Sequence, residues 1–131
     1  MELAFPWPVS EGEWLAWSSA AVTALFGLVM LLAPRLALKL MRLQPVPEHP
    51  EAVGEIRAAY GGFYLGIGLS AILFAQPLVY LALGLCWAVA AFGRFVSMLS
   101  DGGNTPYNWL RLILEGLLGA LALVFALGIV A

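Results

Sequence analysis

Charge is what this chain has least of. Charged residues make up 11% of its 131 residues, against about 25% in an ordinary soluble domain. So few cannot cover a water-facing surface, which excludes a soluble globular fold and favours one whose outside is lipid. No basic stripe is present, so nucleic acid is not an expected partner. The net charge of -2 is too small to argue for a strongly charged one. Cysteine occurs once, as Cys86 in mid-span, so an intrachain disulfide is excluded, and a buried lone thiol is usually an inert small apolar group. Histidine also occurs once, as His49 in a Pro-rich connector. No span therefore offers an imidazole to haem, chlorophyll or a metal, and Glu48, His49 and Glu51 lack the spacing of the usual ligand clusters. A Gly-rich phosphate loop, a Ser/His/Asp set and a CxxC motif are all missing. No catalytic set, metal or cofactor is expected. The opening Met1-Glu2-Leu3-Ala4-Phe5 has no basic segment of the kind a signal peptide carries, and the first span is expected to be retained.

What fills the chain is hydrocarbon: 63% of residues are hydrophobic and the mean hydropathy is +0.94. Apolar stretches run over Trp14–Ala33, Ala58–Ala75, Pro77–Gly93 and Gly116–Ala131. A bilayer core about 30 Å thick takes roughly 17–25 such residues per helix. The expectation is one all-α integral membrane bundle of four transmembrane helices, over about residues 10–33, 51–75, 77–100 and 106–130. Ser10 and Glu13 have capping-box spacing at the start of the first helix. Trp7, Trp14 and Trp17 suit an interfacial aromatic belt. After Pro34, Arg35, Lys39 and Arg42 share one face and Leu36, Leu40 and Leu43 another. This segment is either a kinked continuation of the first helix or a short amphipathic helix anchored among anionic headgroups. Gln76-Pro77 is too short for anything but a turn between antiparallel neighbours. Thr105-Pro106 supplies an N-cap and first position for the last helix. All six basic residues lie at or near connections 1–2 and 3–4. The positive-inside rule then predicts these connections in the cytoplasm and both termini outside, and the acidic Glu2, Glu11 and Glu13 do not oppose it.

The charges within the spans gather at one end. About 18 apolar residues follow Arg57, about 17 precede Arg94 and about 16 follow Glu115, each run covering roughly 24–27 Å. At 100° per residue, Arg94, Ser97 and Asp101 share a face, as do Asn108, Arg111 and Glu115. Arg57, Tyr60 and Tyr64 share another, and Glu55 lies apart from them. A charge near mid-membrane costs at least about 2.5–3.5 kcal/mol unless paired or hydrated. Arg94 and Arg111 should therefore find Glu115, Glu55 or Asp101. Three arginines and three acids make this layer formally neutral. It is either a self-satisfied ion-pair network that sets helix register or a pocket for an anionic or polar ligand, with Tyr60 and Tyr64 as possible ligand contacts. A second pattern, Gly54, Ala58, Gly62, Gly66 and Ser70, places a small residue at every fourth position. Such spacing predicts close helix packing, within the chain or against another subunit.

The run from Glu55 to Gly68 (EIRAAYGGFYLGIG), then Gly93-Arg94-Phe95-Val96-Ser97, Asp101-Gly102 with Pro106, and Glu115, resembles the bacterial domain of unknown function 4345, whose members are similar to small four-helix, DoxX-like membrane proteins. The resemblance covers roughly residues 55 to 119, about half of the chain, and Arg111 lies outside its pattern. It implies the four-helix fold and marks Glu55, Arg57, Tyr60, Arg94, Asp101 and Glu115 as the residues to watch, with no activity attached. The leading functional expectation is a non-enzymatic accessory or structural membrane subunit, partnered by other membrane subunits or by itself. The alternatives are a binding protein or enzyme for a membrane-soluble quinone, isoprenoid or anionic lipid, and a small transporter.

Overall fold

The computed structural model describes residues 5–131; Glu2 of the acidic tail and the rest of 1–4 fall outside them. The described chain is all-helical. Helix α1 is Glu11–Leu32, α2 is Pro34–Leu40, α3 is Glu51–Phe74, α4 is Pro77–Ser100 and α5 is Pro106–Ala126. Helices α1, α3, α4 and α5 are each long and apolar enough to cross a membrane. The last ends at Ala126 rather than near residue 130, where Gly128 at φ +75° turns the chain.

Local signals explain the helix ends. Ser10 Oγ accepts from the Glu13 backbone N–H at 3.2 Å and donates to the Glu13 carboxylate at 3.3 Å, which satisfies one of the donors a helix start leaves open. Trp7 and Trp14 both stack on Trp17, at 6.3 and 5.6 Å between ring centres. Thr105 Oγ1 caps α5 through the Asn108 N–H at 3.2 Å. At Pro34 the first helix breaks instead of kinking, with Ala33 at φ -133°, and α2 follows as a separate piece. Its exposed side carries Arg35, Lys39, Leu36 and Leu40, while Pro34, Ala37 and Leu38 face inward. Arg42 closes α2 at φ +57°. Leu43 N donates to Leu38 O at 2.8 Å and Arg42 N to Lys39 O at 3.2 Å, the Schellman pattern whose left-handed position favours glycine. An arginine there costs about 1–2 kcal/mol.

Around the bundle the order is α3, α1, α5, α4. Helix α1 packs along both α3 and α5, and α5 packs most extensively on α4. The turn holds α3 and α4 together at Gln76, but they meet only sparsely beyond it. The expected antiparallel neighbours therefore diverge, leaving a cleft of about 240 Å³ between Phe63, Tyr64 and Ile67 of α3 and Cys86, Trp87 and Ala90 of α4. At the opposite end of the bundle from α2, Gly12 N donates to Ala131 O at 2.9 Å, so the start of α1 and the end of the chain lie side by side.

Close approach of α1 and α3 depends on glycines. A Cβ on Gly27 would lie 2.2 Å from Leu65 N, and one on Gly68 would lie 2.7 Å from Ala24 N. The ladder singled out above faces the other way. Nothing lies within 4 Å of a Cβ built on Gly54, Gly62 or Gly66, Ala58 is exposed and Ser70 is half-buried. Within this chain the packing glycines of α3 are Gly61 and Gly68, which with Leu65 form the i, i+4, i+7 stripe that α1 packs on. The segment Ile56–Gly62 is a π-helix, so the 100° count does not carry from Glu55 and Arg57 to the residues beyond it.

Between the two helix pairs run polar crosslinks. Ser19 Oγ donates to Leu118 O at 2.7 Å, and Trp87 Nε1 donates to Thr23 Oγ1 at 2.8 Å. Thr23→Val keeps the shape and removes the acceptor. Interhelical hydrogen bonds in membranes contribute about 0.6–1.7 kcal/mol, so the variant should lose that amount of stability in denaturant titration of the detergent-solubilised protein.

Candidate functional site: a buried guanidinium–carboxylate cluster beside an apolar cavity

Glu115 anchors the site. It is 2% exposed on the inward face of α5. Arg94 of α4 meets it with both forks, Nε to Oε1 at 2.6 Å and Nη2 to Oε2 at 3.0 Å. Its third nitrogen, Nη1, donates to Asn108 Oδ1 at 2.8 Å, and Asn108 Nδ2 donates in turn to Gly103 O at 2.8 Å. This bidentate guanidinium, with every nitrogen donating, is the arrangement that best offsets the desolvation of a buried ion pair. It also ties the α4–α5 turn to the helix interior.

Arg111, one turn before Glu115, is held differently. Its Nη2 stands 3.6 Å from Glu115 Oε2, beyond hydrogen-bond reach. Its one hydrogen bond among the described residues is from Nη1 to Tyr107 Oη at 2.9 Å. Tyr107 Oη donates onward to Leu40 O at 2.8 Å, linking α5 to α2. The Arg42 guanidinium lies over the Tyr107 ring, 4.5 Å from its centre. A guanidinium has five N–H donors, so most of those on Arg111 are still open.

Arg111 is also part of the wall of a cavity of about 310 Å³, lined by Leu25, Phe26, Val29 and Met30 of α1, Ala37, Leu40 and Met41 of α2, Tyr64 of α3, Trp87 of α4 and Leu114 of α5, with Tyr107, Arg111 and Glu115 as its polar residues. Leu25 and Leu40 are exposed as well as lining it, so the cavity opens on the bundle surface. The Tyr64 ring packs edge-on against Trp87 at 5.4 Å, and its hydroxyl has no hydrogen bond among the described residues.

The residues singled out from the sequence separate into three groups. Arg94, Arg111 and Glu115 come together. Tyr64 lines the cavity, with Tyr60 stacked on it at 6.3 Å on the exposed side. Glu55, Arg57 and Asp101 are exposed and take no part in the cluster. Arg57 donates instead to Leu31 O, one of the carbonyls that the end of α1 leaves without an N–H partner. Asp101 sits in the turn after α4, and Glu55 forms no ion pair among the described residues. The Ser97 hydroxyl makes no bond to the cluster. Of the expected neutral layer, one carboxylate and two arginines remain, so the cluster is positive. The sequence did not point to Tyr107 and Trp87, and it marked Thr23 only as a small packing residue beside Ser19 and Gly27. Tyr107 precedes Arg111 by four residues and so shares its face, which was the available signal. Trp87 read as an ordinary apolar-span residue.

Four spanning helices, a buried Arg–Glu pair and an apolar chamber beside it define a small multi-pass membrane protein. The chain belongs to the family described as domain of unknown function 4345, which matches residues 13–126. The match takes in α1 and α2 as well as residues 55 to 119, so the likeness is not confined to the carboxyl-terminal half. Neither the curated proteins nor the solved structures contain a match.

Proposed function

We propose that this protein is a non-enzymatic binding component of the bacterial cytoplasmic membrane that holds a membrane-soluble amphipath in the α1–α2–α5 cavity. One observation carries the reading: a cavity of about 310 Å³ is apolar except at one side, where Arg111 presents unused donors. Pockets of this size and lining, with a few convergent polar groups, are the usual form of small-molecule sites. The orientation with both termini outside is supported by the six basic residues near connections 1–2 and 3–4 and by the pairing of Gly12 with Ala131 at the opposite end.

Val29→Phe puts a ring into the cavity without touching the charges. Purified in a mild uncharged detergent, the wild type should carry an extractable amphipath detectable by mass spectrometry. The variant should retain at least about tenfold less with an unchanged thermal midpoint. Equal retention would refute the site.

A second reading, an accessory subunit of a membrane complex or a homo-oligomer, is supported by the outward ladder of Gly54, Ala58, Gly62 and Gly66, which leaves room for another helix. Replacement of Gly62 by Leu should then dissociate the assembly in mild detergent, as read by light scattering.

A further inference from the structure

We propose that the cavity mouth is an anion clamp, in which Arg42 and Arg111, both set against the ring of Tyr107, hold the phosphate of an anionic phospholipid whose acyl chain enters the cavity. The inference rests on the cavity reading above and names the ligand's chemistry.

Charge points to it first. Glu115 is one negative charge shared by two arginines: Arg94 takes it with both forks, and Arg111 is its looser ion-pair partner, so the three leave a net positive charge to which Arg42 adds. Arg42 forms no ion pair among the described residues, and Arg111 stands 3.6 Å from a carboxylate that Arg94 already holds with both forks. Their guanidinium carbons lie 4.5 and 5.8 Å from the centre of the same ring. Two like charges gathered on one aromatic side chain at the edge of an apolar chamber call for an anion with several acceptor oxygens. Guanidinium forks match phosphate in this way. A neutral quinone carbonyl would leave the excess positive charge uncompensated.

Backbone strain is the second, independent observation. Arg42 occupies the left-handed position that ends α2, φ +57°, where glycine is the unstrained choice. Strained positions of this kind are kept where a side chain is needed in place, and here the strain puts the guanidinium over Tyr107. The ring itself is fixed, since its hydroxyl both donates to Leu40 O and accepts from Arg111.

Position is the third. Leu40 and Met41 line the cavity immediately before Arg42, so the clamp and the chamber share an edge. Helix α2 is a short piece whose exposed side mixes Arg35 and Lys39 with Leu36 and Leu40, which suits the headgroup level of an anionic leaflet. A phosphate at that level can keep its chain within the bundle.

The test is native mass spectrometry of the full chain in an uncharged detergent, titrated with dioleoylphosphatidylglycerol, with dioleoylphosphatidylcholine and with inorganic phosphate. The phosphatidylglycerol should bind at least about tenfold more tightly than the phosphatidylcholine. Arg42→Gly and Arg111→Gln should each abolish that preference. Arg42→Gly should also melt no lower than the wild type, because glycine relieves the left-handed strain. Lys39→Gln removes one charge from the same helix outside the clamp and should keep the preference. Equal binding of the two lipids by the wild type, with Val29→Phe still reducing both, would overturn the clamp and leave the cavity reading standing. An equal loss in Lys39→Gln and Arg42→Gly would also overturn it, by showing diffuse surface attraction. Saturation by inorganic phosphate alone, with the same sensitivity to Arg42→Gly, would overturn the lipid as the source of the anion. Binding of neither lipid would overturn the clamp, while the cavity reading stands or falls on the amphipath that co-purifies with the wild type and is lost in Val29→Phe.

Discussion

Glu115→Gln should be among the most damaging single changes in this chain, lowering stability by about 3–5 kcal/mol. The amide keeps the size of the side chain but removes its charge. Arg94 and Arg111 would then be left as uncompensated cations inside a membrane-spanning bundle, and breaking a buried pair costs more than the pair is worth intact. Denaturant titration in bicelles measures the loss. A series of replacements reveals its origin. If the penalty comes from stranded charge, Glu115→Leu combined with Arg94→Leu should recover part of it, and adding Arg111→Leu most of the rest. A steady fall across the series would mean that the hydrogen bonds themselves, including those through Asn108 and Gly103, hold α4 to α5.

Gly27→Leu should be comparably severe for a different reason. The first atom of any side chain there meets Leu65 N at 2.2 Å and Leu65 Cα at 2.7 Å. These are backbone atoms of α3 and cannot rotate away, so the two helices would have to separate along their contact. Overpacking by more than a methyl group against a fixed backbone should cost more than about 3 kcal/mol. The matched control is Gly66→Ala, the residue after the contact but on the outer side of α3, where nothing stands within 4 Å. That change should be neutral or stabilising by about 0.5–1 kcal/mol. Thermal unfolding of both variants in one detergent decides the matter, and equal behaviour would contradict the packing described.

The four spans, an interruption at Pro34 (though not whether it kinks or breaks the helix), the Ser10 and Thr105 caps and the facing surfaces of Arg94 and Glu115 were all legible, because each depends on local sequence. Hydrocarbon run length, proline's missing N–H and 100° spacing act over a few residues. What was not legible depends on tertiary placement. Arg57 sits in the same residue window as Glu55 and Tyr60, yet it caps α1 because Pro34 ends that helix beside it. The ladder from Gly54 to Ser70 has ideal spacing for close packing, but α1 takes the neighbouring stripe with Gly61 and Gly68 instead. Spacing alone does not say which of two small-residue stripes a partner helix meets. Tyr107 became part of the site only because α2 folds back to offer Leu40 O. The expectation of a neutral layer failed for the same reason: it counted Asp101 and Glu55, which lie at the right height in the chain but on turns and sides that never meet the arginines.

The ring order α3, α1, α5, α4 has a consequence for how the protein is made. As the spans leave the translocation machinery in sequence, α3 finds α1 already waiting, but α4 enters before the helix it depends on. Until α5 arrives, α4 carries Arg94 without Glu115 and Trp87 without its settled surroundings. Biogenesis therefore amounts to closing two hairpin-like halves, and Glu115, carried in on α5, completes the join.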